Sequence, residues 1–138
     1  MRPADDAPVW GILMETGYPG ATSTLFALSD GSTSLYLSSG GGIIGGHARQ
    51  NVRDANTGFI EMANKCWREM AHTEKCPVPA TGETVFYVLT DAGILTARGG
   101  EEDLGNGNHP LAQLFFAGHE VIAQLSVISG DSGVNAIK

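Results

Sequence analysis

The chain has 138 residues, with 15 acidic against 8 basic side chains, a net charge of −7 and a pI near 4.9. That balance argues against a nucleic-acid backbone as partner. The length suits one domain, 1–138, able to bury about two thirds of its extended surface. With 42% hydrophobic and 17% charged residues it is a globular chain rather than a disordered one.

The first element is Val9-Trp10-Gly11-Ile12-Leu13-Met14, a nearly unbroken apolar run that reads as a strand covered on both faces. Gly17-Tyr18-Pro19-Gly20 marks a turn. Thr24-Leu25-Phe26-Ala27-Leu28 is a second strand, and Asp30-Gly31 signals a hairpin whose two central residues favour positive φ. Thr33-Ser34-Leu35-Tyr36-Leu37 is the return strand. Next comes Ser38-Ser39-Gly40-Gly41-Gly42-Ile43-Ile44-Gly45-Gly46-His47, in which five of ten residues are glycine. Each glycine costs roughly 0.4–1 kcal/mol relative to alanine where both fit, so left-handed torsions or a close approach are expected there.

Apolar positions at Ala48, Val52, Ala55, Phe59, Met62, Ala63, Cys66, Trp67 and Met70 step by threes and fours, which predicts a helix over 48–70. Asn56 falls among the polar positions, and Gly58 weakens the helix interior by about 1 kcal/mol in return for close packing. Residues 73–79, with Pro77 and Pro79, end the helix and form the longest linker. Glu83-Thr84-Val85-Phe86-Tyr87-Val88-Leu89 is a strand, Asp91-Ala92-Gly93 a turn and Ile94-Leu95-Thr96-Ala97 a short strand. A polar loop spans 99–108, with Asn108 as N-cap and Pro110 in the first turn of a second helix. That helix carries Leu111, Leu114, Phe115, Gly118, Val121, Ile122 and Leu125 on one face. An ordered core of about 8–128 is expected, with a flexible tail over 129–138.

The predicted fold class is α+β: a five-stranded antiparallel sheet in the order β-β-β-α-β-β-α, with two long helices packed on it. The hairpin around Asp30-Gly31, the amphipathic helix from Ala48 and the hairpin around Asp91-Gly93 leading to a C-terminal helix carry a resemblance. In element order alone, with no diagnostic motif, the chain resembles roadblock/profilin-like small α+β domains. That group usually has two strands before the middle helix and three after, whereas this chain reads as three and two.

Two places gather groups that could bind a ligand. Gly40, Gly42 and Gly45 satisfy G-x-G-x-x-G, and Gly40, Gly41, Gly42, Gly45, Gly46, His47 and Arg49 together could line an anion or phosphate pocket at a helix N-terminus. The simpler reading is a tight strand-to-helix connection with Ile43 and Ile44 plugged into the core. A second candidate loop holds Asp103, Asn106, Asn108 and His109, oxygen and nitrogen donors without EF-hand spacing. His119-Glu120 fails H-E-x-x-H because Ala123 stands at the second histidine position, so His119 is expected at the edge of the apolar stripe with a satisfied hydrogen bond. No serine sits in G-x-S-x-G, and no catalytic residue, metal or cofactor is assigned.

Cys66 and Cys76 fit no metal spacing, and Cys66 is expected as a buried free thiol in a reduced, cytoplasmic protein. The segment at the N-terminus lacks the apolar core of a secretory signal, and no run approaches the ~18 apolar residues of a membrane span. The expected function is a non-catalytic intracellular binding or regulatory module with a possible protein partner. It is expected to be a homodimer, because two helices cover one sheet face and leave the other needing cover. The alternatives are a small-molecule site or enzyme at Gly40–Arg49, and an acidic neutralising partner of a basic protein.

Overall fold

In the computed structural model, residues 9–44 and 50–132 are described, with side chains as far as 126 apart from that of residue 44. Strands β1 (Val9–Tyr18), β2 (Ala21–Leu28), β3 (Thr33–Leu37) and β4 (Gly42–Ile44) precede helix α1 (Gln50–Cys66). A 3-10 turn (Trp67–Glu69) leads into β5 (Ala71–Thr73), β6 (Glu83–Thr90) and β7 (Gly93–Gly100), followed by α2 (Glu101–Gly105) and α3 (Ala112–Ser132). The fold is α+β, a single sheet of antiparallel strands with helices packed on it. Its order is β4-β3-β2-β1-β6-β7-β5.

The sheet has seven strands where the sequence predicts five. The two extra strands are three residues each, too short for a period-two pattern to register. One, β4, lies inside the glycine run and pairs with β3, Leu35 opposite Ile43. The other, β5, pairs with β7 directly after the end of the predicted helix over 48–70, and its Thr73 lies in the segment read as the start of the linker. Met70 is already extended there, at φ −98° and ψ 157°, so helix gives way to strand.

The turns follow residue chemistry with one correction. Pro19-Gly20 closes the first hairpin with Gly20 at φ 80°, as a Pro-Gly turn requires. Asp30-Gly31 does close the β2–β3 hairpin, but only Gly31 takes positive φ (98°). Its N–H donates to Leu28 O at 3.0 Å, and Asp30 Oδ1 accepts from Ser32 N–H at 2.8 Å. This is the longer hairpin loop with glycine at the left-handed position, not the two-residue primed turn.

One sheet face carries the core in rows across the strands: Ala27, Ile12, Val88 and Leu95, then Leu25, Met14, Phe86 and Ala97. Val52, Phe59, Ile60 and Ala63 of α1 pack on it with Leu114, Phe115, Val121 and Leu125 of α3. Gly118 lets α3 settle closely, since a Cβ there would lie 2.7 Å from Met14 Sδ and 3.1 Å from Phe59 Cζ. Asn56, expected among solvent-facing positions, is buried instead. It accepts from the Thr33 hydroxyl at 2.9 Å and donates to Leu28 O at 2.8 Å, latching α1 to the β2–β3 hairpin. Gly58, expected to permit close packing, faces open space. Among the described residues no helix is long and apolar enough to cross a membrane. Residues 129–132, expected in the tail, continue α3; 133–138 lie outside the described residues.

Candidate functional site on the helix-free sheet face

Strand alternation sends every second side chain to the face away from the helices. Three of the rows that the register sets on this face form its centre. The first is Leu28, Gly11, Leu89 and Ile94; the second Phe26, Leu13, Tyr87 and Thr96; the third Tyr36, Thr24, Glu15, Val85 and Arg98. Leu13, Phe26, Leu28, Leu89 and Ile94 are half-buried and stand apart from the core cluster. Gly11 admits the two flanking leucines, for a Cβ there would meet Leu28 Cδ2 at 2.9 Å and Leu89 Cδ1 at 3.0 Å.

Part of this face has a cover within the chain. Val85 and Tyr87 are each 1% exposed although neither belongs to the core cluster. The segment over 74–82 passes beside them: Tyr87 donates its hydroxyl to Pro77 O at 3.2 Å, Pro79 is buried, and Gly82 N–H bonds Gly17 O at 2.8 Å. Gly17 is required by this strap, since a Cβ would fall 2.2 Å from Ala80 O. Burial raises the Tyr87 phenol above its ordinary range, with Cys76 and Glu15 adding to the effect. The rest of the face, from β3 across β2 and β1 to the far end of β6 and β7, keeps its apolar rows half-exposed. Tyr36, 46% exposed, stands at its rim.

Glu15 is the single carboxylate in these rows. It is half-buried on the central strand and accepts from the Thr24 hydroxyl at 3.2 Å. Burial pushes its carboxyl above the usual carboxylate range, opposed by that hydrogen bond. Arg98, in the same row, is bound to Glu83 at 3.2 Å. Glu15 and Thr24 were not singled out from sequence. The available signal was a glutamate in phase with Leu13 on a strand otherwise apolar on that side.

The glycine-run candidate is described only in part. Gly40 (φ 118°) and Gly41 (φ 91°) take left-handed torsions in the turn joining β3 to β4. A Cβ on Gly42 would lie 2.4 Å from Leu35 O, so this glycine is needed for the strand pairing. Ile43 is buried in the core. Gly45, Gly46, His47 and Arg49 lie outside the described residues.

The second candidate loop is in part helical. Asp103 lies in α2, and Asn106 and Asn108 follow it, all three exposed. The backbone N–H groups of Asn106, Gly107 and Asn108 bond the carbonyls of Glu102, Leu104 and Asp103, which closes the helix end. His109, not the expected Asn108, supplies a side-chain cap near the start of α3: its Nδ1 accepts from Leu111 N–H at 3.0 Å. Its ring also fills the space beside Gly99, where a Cβ would lie 2.6 Å from Nε2. His109, Arg98, Glu69 and Leu111 line an open cleft of about 210 Å³ at the end of β7. Asp103, Asn106 and Asn108 do not line it. Among the described residues no group of three or more His, Cys, Asp or Glu side chains is placed to hold a metal ion.

His119 departs from expectation. Its Nε2 is buried without a hydrogen-bond partner and its ring lies tilted against that of Phe115, the centroids 4.4 Å apart. Burial lowers its pKa, with the Glu101 carboxylate pulling the other way. Cys66 and Cys76 are free thiols, Cys66 half-buried rather than buried, and Cys76 exposed. Comparison with protein-family models, curated proteins and solved structures returns no match.

Proposed function

We propose that the chain is a non-catalytic binding module that pairs with a second copy of itself through the helix-free sheet face. One observation carries this reading: Leu13, Phe26, Leu28, Leu89 and Ile94 form a continuous apolar surface outside the core. Strands ~4.8 Å apart with ~3.3 Å rise per residue give the three rows, less Val85 and Tyr87 under the strap, roughly 350 Å² in flat projection. Side-chain relief raises the accessible area towards the ~500 Å² per copy at which specific interfaces begin. A two-fold arrangement places the same rows on both sides, so apolar meets apolar. The roadblock/profilin-like likeness in element order is a looser one here, with four strands before α1 and three after it, and a binding module of this kind needs no reactive centre.

Sedimentation of the wild type across the micromolar range is expected to show a monomer–dimer equilibrium. Phe26→Asp puts a charge in the middle row and is expected to leave a folded monomer with unchanged far-ultraviolet circular dichroism. A wild type that stays monomeric throughout overturns the reading, as does a Phe26→Asp variant that dimerises like the wild type.

A further inference from the structure

This inference rests on the self-association proposed above and concerns its regulation. We propose that Glu15 makes the association pH-dependent, so that the two sheet faces close as this carboxyl takes up a proton and part as it gives it up.

The geometry around Glu15 supplies the reason. On β1 it follows Leu13 in the same face, one row from the apolar centre. From β2 it meets Thr24, whose hydroxyl donates at 3.2 Å. From β6 it meets Val85, which carries no charge or hydrogen-bonding side-chain atom, and beyond Val85 on β7 the guanidinium of Arg98 is committed to Glu83. The strap brings Pro77 to the Tyr87 hydroxyl, with the Cys76 thiol near that phenol. Tyr87 stays neutral through the acidic and neutral range, since its titration is shifted upward. Among the described residues, burial and the neutral Thr24 hydroxyl are what shift Glu15, and no cation is among the causes.

A second copy laid over this face removes water from a carboxylate that has one protein hydrogen bond. Removing water from the ionised form is far costlier than from the neutral acid. The associated state therefore holds the proton more tightly than the monomer, and association and protonation support each other. The sign follows. A carboxyl whose pKa rises on association favours the dimer fully below the monomer's pKa and loses that contribution as pH climbs through the dimer's higher pKa. Each Glu15 can change the dissociation constant by at most about tenfold per pH unit within that window.

Dissociation constants measured by sedimentation at pH 5.0 and pH 7.5, for wild type and Glu15→Gln, test the proposal. Glutamine keeps an acceptor for Thr24 and removes the titration. The wild type is expected to dissociate at least about tenfold more readily at pH 7.5 than at pH 5.0. Glu15→Gln is expected to associate more tightly than the wild type at pH 7.5 and to keep only the smaller pH dependence that the net charge, near zero at pH 5.0 and −7 at pH 7, gives both proteins. The Glu15 carboxyl carbon resonance is expected to titrate at higher pH in concentrated than in dilute wild-type protein. A dimer with the same constant at both pH values overturns this inference alone, as does a pH dependence that survives unchanged in Glu15→Gln. A wild type monomeric at both pH values overturns the sheet-face reading itself.

Discussion

The two faces of one sheet are built from the same strands and meet different fates. On the helix side, Ile12, Met14, Leu25, Phe86 and Val88 are each at most 2% exposed beneath α1 and α3. One residue along each strand, Leu13, Phe26 and Leu89 remain half-exposed with no helix above them. The difference is not one of apolar character, since both sets are leucine, phenylalanine and their like. It comes from supply. Two long helices cover one side of a seven-stranded sheet, and on the other the strap over 74–82 reaches only the rows around Val85 and Tyr87. The proposed self-association is the cover this reading supplies for the apolar rows left without a helix.

The sharpest way to break this comparison is to truncate one phenylalanine on each side. Phe59→Ala removes a fully buried ring that packs beside Gly118 and Met14, and is expected to cost about 3–5 kcal/mol in denaturant unfolding of the monomer. Phe26→Ala is expected to cost less in the same measurement, about 1–2 kcal/mol, because the ring is only partly buried. A large loss for Phe26→Ala in dilute, monomeric protein would make the helix-free face a second core and end the contrast.

A smaller effect sharpens how the helix side is held. Asn56→Ala removes two hydrogen bonds, to the Thr33 hydroxyl and the Leu28 carbonyl, each of which keeps a bond to Gly31; at about 0.5–1.5 kcal/mol net apiece the expected cost is about 1–3 kcal/mol. Hydrogen exchange of the β2–β3 hairpin amides is expected to quicken with it. The smallest effect has the opposite sign. Gly58 points to open space with ordinary helical torsions, so Gly58→Ala is expected to raise stability by up to about 1 kcal/mol, read as a higher unfolding midpoint.

Several features of the molecule were legible in the residues. Period-three-and-four spacing located the faces of α1 and α3, although it missed the buried Asn56 and Ile60 on α1; the residues from Leu111 to Leu125 chosen for burial are all buried or half-buried. Turn chemistry located the hairpins at Pro19-Gly20, Asp30-Gly31 and Asp91-Gly93. The need for cover on a second sheet face was also foreseeable, because continuous apolar runs put large side chains on both sides of β1 and β6. The candidate site was less legible. Glu15 and Thr24 become neighbours only when β1 and β2 pair in one register, and nothing in either strand alone announces the contact.

Local spacing therefore determined the α+β class, the helix faces and the hairpin positions, since these depend on contacts a few residues apart. Tertiary structure alone decided that three residues of the glycine run become β4, that Asn56 turns inward, and that 74–82 folds over Tyr87. It also decided which side of the sheet the helices take. Each of these outcomes is a competition between distant segments for the same surface or hydrogen-bonding group, and only the folded chain brings the competitors together.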